Sequence, residues 1–276
     1  MYTLNCNEKL LVIEKPLVMG ILNATPDSFY EGHLNKGLDA IIALADKMIA
    51  DGADILDIGG QSTKPGSIRI SAEEEINRVL PVIKAIHAKH SNTILSIDTY
   101  YSAVAKAAVE AGVSIVNDIS AGNMDAAMIA TVASLKVPYI CMHMQGTPDT
   151  MQKNPQYDNV VTDVLDFFIA KIDECTKAGI IDIIIDPGFG FGKTIAHNFQ
   201  LLKHLQTFSM LQKPILAGLS RKSTIYKTLG TTAAEALNGT TVLNTMALMN
   251  GAAILRVHDV KEAKEAVLLH HAYSLL

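Results

Sequence analysis

Apolar residues follow two alternating rhythms along this chain. Short, largely β-branched runs of four to six residues recur at 17–22, 54–58, 94–97, 113–116, 137–141, 182–185, 214–219 and 252–257. Between them, apolar positions return every three or four residues, as in Ile41, Leu44, Ala45, Met48 and Ile49, and again in Ile76, Val79, Leu80, Ile83 and Ile86. The first rhythm suits buried strands and the second amphipathic helices, so the pattern predicts a β-then-α unit repeated eight times. Strands that are apolar at nearly every position need cover on both faces, which a parallel sheet clad in helices provides. Eight such units in 276 residues fit an α/β chain closed into a (β/α)8 TIM barrel better than an open doubly wound sheet. No low-complexity linker divides the chain, so one domain over 1–276 is expected. Gly52, Gly112 and Gly179 stand where left-handed helix caps fall, just before the next strand. The later helices are expected at about 124–135, 159–178 and 197–208, with a last pair at 222–229 and 233–250.

In a parallel barrel, chemistry collects at the carboxyl ends of the strands. Polar residues gather at those points in every unit. Asn23 follows the first run, Asp57 and Thr63 the second, Asp98 the third, Asn117 and Asp118 the fourth and His143 the fifth. Asp186 follows the sixth and Ser220, Arg221 and Lys222 the seventh, while Arg256 and His258 close the eighth. Turn formation explains any one of these residues, but eight together point to a shared site. Arg256 and His258 are two apart and face one side of an extended strand, where a guanidinium fork beside an imidazole suits a phosphate-like anion. The competing reading pairs Arg256 with Asp259 at the surface. Lys222 opens a helix within Ser-Arg-Lys-Ser, and it is expected to pair with Asp186 so as to orient the amide-like edge of a heterocycle. Asp98 ends the apolar strand ILSI, where a carboxylate is costly without a partner or a task.

The net charge of -5, without runs of one sign, gives no general attraction to nucleic acid or to an anionic membrane. Any anion site is therefore local. Cys6, Cys141 and Cys175 are odd in number and widely spaced, which argues against a disulfide framework and for a reducing, cytoplasmic setting. The N-terminal stretch lacks a signal-like apolar core. DPGFGFGKT at 186–194 ends like a nucleotide-binding P-loop, but Pro187 stands where that motif needs glycine and has no amide hydrogen to give a phosphate. Gly188, Gly190 and Gly192 instead read as a tight loop presenting Phe189 toward the barrel mouth. His143 has no histidine at i+4, so the metalloprotease zinc pattern is missing.

LNATPDSF (22–29), GGQSTKPG (59–66), SIDT (96–99), NDIS (117–120), MHMQGTP (142–148), DPGFGFGK (186–193), GLSRKS (218–223) and RVHD (256–259) follow one another along the chain. This series resembles the pterin-binding enzymes, and within them the dihydropteroate synthases. The resemblance implies a transferase of folate biosynthesis that condenses 6-hydroxymethyl-7,8-dihydropterin pyrophosphate with p-aminobenzoate. It also implies sulfonamide sensitivity and a homodimer formed through barrel helices, around Leu237, Val242, Leu243 and Met246. By the same resemblance Asn23 would ligate a Mg2+ ion, and Arg256 and His258 would bind the pyrophosphate. Asp98, Asn117, Asp186 and Lys222 would hold the pterin ring. Thr63, Pro65, Phe189 and Ser223, with Phe29, would surround p-aminobenzoate, Thr63 also reaching the pterin substrate. Catalysis would fall to Asp98, Lys222, Arg256 and His258. Loops 24–36 and 61–72 are expected to close over the site and exclude water.

The sequence departs from the resemblance at Lys64, where arginine is usual, at Gln61, and at Tyr30-Glu31-Gly32. Lysine keeps the charge and loses the planar fork. Two other readings stay open: a pterin-dependent methyltransferase, which needs no pyrophosphate site, and a catalytically silent pterin-binding paralogue.

Overall fold

The computed structural model describes residues 1–7, 9–24, 34–61 and 69–275, with residues 34–36 described as backbone only. Phe29, Thr63, Lys64, Pro65 and the 30–32 departure lie outside them, as does most of both loops expected to close. Eight parallel strands form the predicted barrel: β3 (Leu17–Asn23), β4 (Ile55–Gly59), β5 (Ile94–Asp98), β6 (Ile115–Asp118), β7 (Tyr139–Met142), β8 (Ile183–Asp186), β9 (Leu216–Ala217) and β10 (Ile254–Val257). Their order is β8-β7-β6-β5-β4-β3-β10-β9. A single parallel bridge, Ile185 to Ile215, joins β8 to the β9 segment and closes the ring. All eight expected runs therefore contain a strand. The seventh shrinks most, because only two of its six residues pair regularly.

The helices are α1 (Leu34–Ala50), α2 (Ala72–Lys89), α3 (Ser102–Glu110), α4 (Met128–Leu135), α5 (Val160–Ala178), α6 (Ile195–Lys203), α7 (Ser223–Leu229), α8 (Leu237–Met249) and α9 (Val260–Ser274). Gly52, Gly112 and Gly179 do adopt positive φ, at 98°, 113° and 100°. Three expectations change. The helix foreseen at 197–208 ends at Lys203 and continues as a 3-10 turn over Leu205–Leu211. The one foreseen at 233–250 starts at Leu237, since carbonyls 233 and 234 are taken by Arg221. The pair α7–α8 is not last, because α9 packs back against β3 and α8.

The unforeseen element is an antiparallel hairpin of β1 (Tyr2–Cys6) and β2 (Lys9–Ile13). Its buried Leu4, Cys6 and Ile13 pack with Met19, Ile55, Ile94, Ile115, Ile140, Ile184, Leu216 and Ile254. These are the first inward positions of the barrel strands, so the hairpin seals the amino-terminal end with a dry apolar plug. The alternate residues, among them Val18, Leu56, Leu95, Val116, Cys141, Ile185 and Leu255, join the outer core against the helices. Side chains of a strand alternate, so every second residue beyond the plug again points inward, now toward the open end.

Ile13→Ala removes a buried part of the plug, far from the carboxyl ends of the strands. It should cost about 2–4 kcal/mol in urea unfolding and leave turnover per folded molecule unchanged.

Candidate active site

Counting in steps of two from the apolar plug reaches the polar cluster. Ile55 leads to Asp57, Ile94 to Ser96 and Asp98, Ile115 to Asn117, Ile184 to Asp186, Ile254 to Arg256 and His258, and Met19 through Ile21 to Asn23. Asp118, one residue out of phase, faces the helices instead. There its carboxylate accepts from the Ser120 amide and hydroxyl, the Gly122 amide and Tyr139 Oη. The strand alternation thus sorts the adjacent Asn117 and Asp118 into a site residue and a structural one.

Arg256 is the centre of the cluster. Its Nε donates to Asp57 Oδ2 at 2.6 Å and its Nη2 to Asp98 Oδ2 at 2.5 Å. The surface pairing with Asp259 is overturned, because Arg221 holds that carboxylate with two bonds of 2.8 Å. Asp57 Oδ2 also accepts from Asn117 Nδ2 at 2.9 Å, which leaves the Asn117 carbonyl oxygen for another donor. Asp57 Oδ1 and Ser96 Oγ are buried without a hydrogen-bond partner among the described residues. Burial pushes the Asp98 carboxyl up to about 6, Arg256 pulls it down, and Asp57 and Asp118 push it further up. Asp186 is likewise raised by burial, with Lys222 opposing.

Lys222 and Asp186 face the same space beside Gly218, where an added Cβ would lie 3.6 Å from Nζ and 3.9 Å from Asp186 Oδ2. They make no direct pair, contrary to expectation. Lys222 Nζ donates to the Phe189 carbonyl and lies 4.8 Å from the centre of the Phe191 ring. Burial lowers its ammonium to about 8, against the opposing pull of Asp186. His258 Nδ1 is 3.0 Å from Ser220 Oγ, which also accepts from the His258 amide. Desolvation, then Arg256, hold its imidazole below the ordinary value. Asn23 ends β3 at the exposed rim, and Ser223 opens α7 beside Lys222.

The glycine loop corrects one assignment. Phe189 does not reach the mouth: it is 0% exposed and lies in the outer core, whereas Phe191 joins Tyr100, Ile119, Met142 and Met151 at the open end. Gly188 turns the chain at φ 70°, and a Cβ there would sit 1.9 Å from the His143 carbonyl oxygen. Only glycine fits this approach, and the turn sends the first Phe inward and the second to the site. Lys193, overlooked in the sequence beyond its likeness to a P-loop lysine, ties the loop down. Its buried Nζ lies 2.8 Å from His143 Nδ1 and donates to the carbonyls of His143, Gly188 and Phe191 at 3.3, 3.1 and 3.0 Å. Burial lowers its ammonium to about 7, against the opposing pull of Asp186. Asp57 was visible as a strand-end acid, although nothing in the sequence gave it Arg256 as partner.

Glu75, in the first turn of α2, stands behind the site. It is 1% exposed, and neither carboxyl oxygen has a well-formed hydrogen bond among the described residues. Burial, then the charge of Asp98, push it up to about 8, with the Thr99 hydroxyl and Arg78 offsetting part of this.

The profile of the family described as "Pterin binding enzyme" matches residues 19–258. The dihydropteroate synthase of Escherichia coli K12 is 44% identical over 259 residues, which cover 93% of this chain and 91% of that protein. Among solved structures, the Xanthomonas albilineans dihydropteroate synthase with 4-aminobenzoic acid superposes with a TM-score of 0.92 at 40% identity, covering 99% of this chain and 98% of that one. The same organism's enzyme in complex with 7,8-dihydropteroate gives 0.90 at 38% identity, with 100% of both chains covered.

Two measurements probe the groups that the sequence did not single out. The folded Glu75 holds its proton up to about 8, against 4.5 as an ordinary carboxyl. Its contribution to stability is thus complete below the lower value and lost as pH rises through the upper one. Glu75→Gln removes that dependence, so its melting temperature relative to the parent should climb between these two pH values, by roughly 5 °C at the alkaline end. Lys193→Met removes the donor shared by the His143, Gly188 and Phe191 carbonyls and should cost about 3 kcal/mol in denaturant unfolding.

Proposed function

The chain belongs to the pterin binding enzyme family, and we infer that its barrel mouth divides the work of dihydropteroate synthesis among the residues that converge there. The reaction joins 6-hydroxymethyl-7,8-dihydropterin pyrophosphate to p-aminobenzoate and yields 7,8-dihydropteroate and pyrophosphate. The observation that carries the assignment of roles is the charge arrangement around Arg256. Three inward carboxylates, Asp57, Asp98 and Asp186, face two inward cations, Arg256 and Lys222. The side chains that face the barrel interior therefore include more acids than bases, with the Lys193 ammonium set behind the glycine loop, which suits a substrate that becomes cationic as its leaving group departs.

In this reading the pterin lies between Asp186, Lys222 and Asn117. The free Asn117 carbonyl oxygen and the Asp186 carboxylate accept from its amino and ring N–H groups, and Lys222 donates to its carbonyl. The methylene carbon then faces Asp98. As the bond to pyrophosphate breaks, positive charge grows on the pterin beside Asp98, while negative charge grows toward the rim. There Arg256 Nη1, which has no hydrogen bond among the described residues, and His258 receive it. The imidazole is held neutral before the anion arrives, and the anion restores its proton affinity. The arylamine attacks the methylene carbon with its own lone pair and afterwards loses a proton, so no strong base is required. Phe191 offers the aromatic wall for p-aminobenzoate that Phe189 cannot, and Ser223 lies at the start of the neighbouring helix. A sulfonamide would compete for that position.

Asn23 supplies one neutral oxygen at the rim, and no three His, Cys, Asp or Glu among the described residues cluster as a metal site. This set fits a Mg2+ ion held mainly by the substrate's phosphates, as is common for that ion. When bound, it would neutralise charge on the leaving pyrophosphate. A homodimer is supported by the exposed Val242, Met246 and Met249 of α8, although Leu243 is buried in the subunit's own core. No helix among the described residues is long and apolar enough to cross a membrane, and a cytoplasmic location is in keeping with three buried free thiols.

Purified protein given the pterin pyrophosphate, Mg2+ and p-aminobenzoate should form dihydropteroate and release pyrophosphate only when the arylamine is present. Asp98→Asn should lower kcat by about 100- to 1,000-fold. Pterin binding without product would replace this reading with that of a silent pterin-binding protein.

A further inference from the structure

The weakest seam of the barrel carries the most demanding residues. β9 has two residues and pairs with β10 only through Leu216–Ile254 and Ala217–Leu255. Ser220 and Lys222 lie three and five positions beyond the last paired residue of β9, and His258 lies three beyond its partner on β10. Sheet hydrogen bonds alone leave these two ends free to shift against each other.

A charged clamp spans the gap at this level. Arg221 Nε and Nη2 donate to the two carboxylate oxygens of Asp259, each at 2.8 Å. Arg221 Nη1 donates to the carbonyls of Ala233 and Ala234, and its amide donates to Thr240 Oγ1 at 3.0 Å. One side chain thus joins the end of β9, the end of β10 and the connection between α7 and α8. The clamp is held against resistance, because Arg221 has φ 54°, a left-handed conformation unfavourable for a residue with a Cβ. Both partners are sequence neighbours of site residues, Arg221 of Ser220 and Lys222, and Asp259 of His258.

We infer that Arg221 and Asp259 form a positioning pair which fixes the Lys222 ammonium relative to the Ser220–His258 unit without touching substrate. Bidentate geometry restrains both distance and rotation between the two strand ends, which a single hydrogen bond does not. The pair therefore sets the span between the pterin end of the site at Lys222 and the pyrophosphate end at His258. This inference rests on the reading of the site as a dihydropteroate synthase.

Arg221→Gly tests it directly, since glycine accepts the left-handed backbone and the variant loses the side chain without adding backbone strain. It should keep the parent's circular dichroism and lose about 30- to 100-fold in kcat. Arg221→Lys, which keeps charge but not the fork, should lose on the order of 10-fold and provides a readout should the glycine variant fail to fold. Asp259→Asn should match Arg221→Gly in rate, and the double variant should be no worse than either. The readout that a general loss of structure would not reproduce is a pair of opposite shifts in the His258 imidazole titration, followed by NMR in the Mg2+-containing protein, because exposing the ring would raise it in both variants. Arg256 and Lys222 face that ring in every variant, so only the clamp changes. Removing Arg221 should raise its pKa and removing the Asp259 charge should lower it, each on the order of half a unit. Rates within twofold of the parent, or titrations that move the same way in both variants, would overturn the inference. Asp98→Asn runs alongside: if it abolishes turnover while Arg221→Gly does not, only the clamp is refuted, and if the parent makes no product, the functional reading itself fails.

Discussion

The Arg256 guanidinium, held between Asp57 and Asp98 inside the barrel, is the interaction on which the rest of the site depends. It gathers three strands, β10, β4 and β5, around one charge. Each carboxylate alone would be expensive in the low-dielectric interior, and removing either partner would leave an unpaired buried charge. The cluster is tolerable because the apolar plug and hairpin keep it from the amino-terminal end, while the open end gives its outer atoms access to ligand and water. The imbalance toward negative charge is the property a cation-forming reaction uses. Stability and chemistry thus draw on the same ion pairs.

The loops around that centre are fixed by backbone rather than by side-chain packing. Gly188 passes so near the His143 carbonyl that any Cβ would collide, and Lys193 gathers the carbonyls of His143, Gly188 and Phe191 around one ammonium. Lys222 in turn takes its place from the Phe189 carbonyl within this loop. A buried lysine that never reaches the mouth is therefore linked through two backbone groups to one that does. On the opposite side of Lys222, the Arg221–Asp259 clamp does comparable work where the sheet is shortest.

Much of this was legible in the order of residues. The apolar runs announce eight strands, the cap glycines mark the αβ turns, and the strand-end positions alone single out Asp98, Asn117, Asp186, Lys222, Arg256 and His258. The hairpin was missed because Tyr2–Cys6 and Lys9–Ile13 are short and mixed in polarity, and they become strands by pairing with each other and capping the barrel. Phe189 and Phe191 were confused because composition cannot tell which way a left-handed glycine turn rotates the next side chain.

What the sequence determined by itself was periodicity: which residues share a face, where each element stops, and hence that one end of a barrel would be apolar and the other polar. Those properties follow from local geometry repeated every two or 3.6 residues. What only the tertiary structure decided was partnership. Arg256 bonds residues 199 and 158 positions away and leaves Asp259 to Arg221. Lys222 prefers a carbonyl to Asp186, and Glu75 stays buried with no ion-pair partner among the described residues. Such choices depend on closing the ring and on the desolvation of each charge in the closed state, and no local pattern along the chain records either.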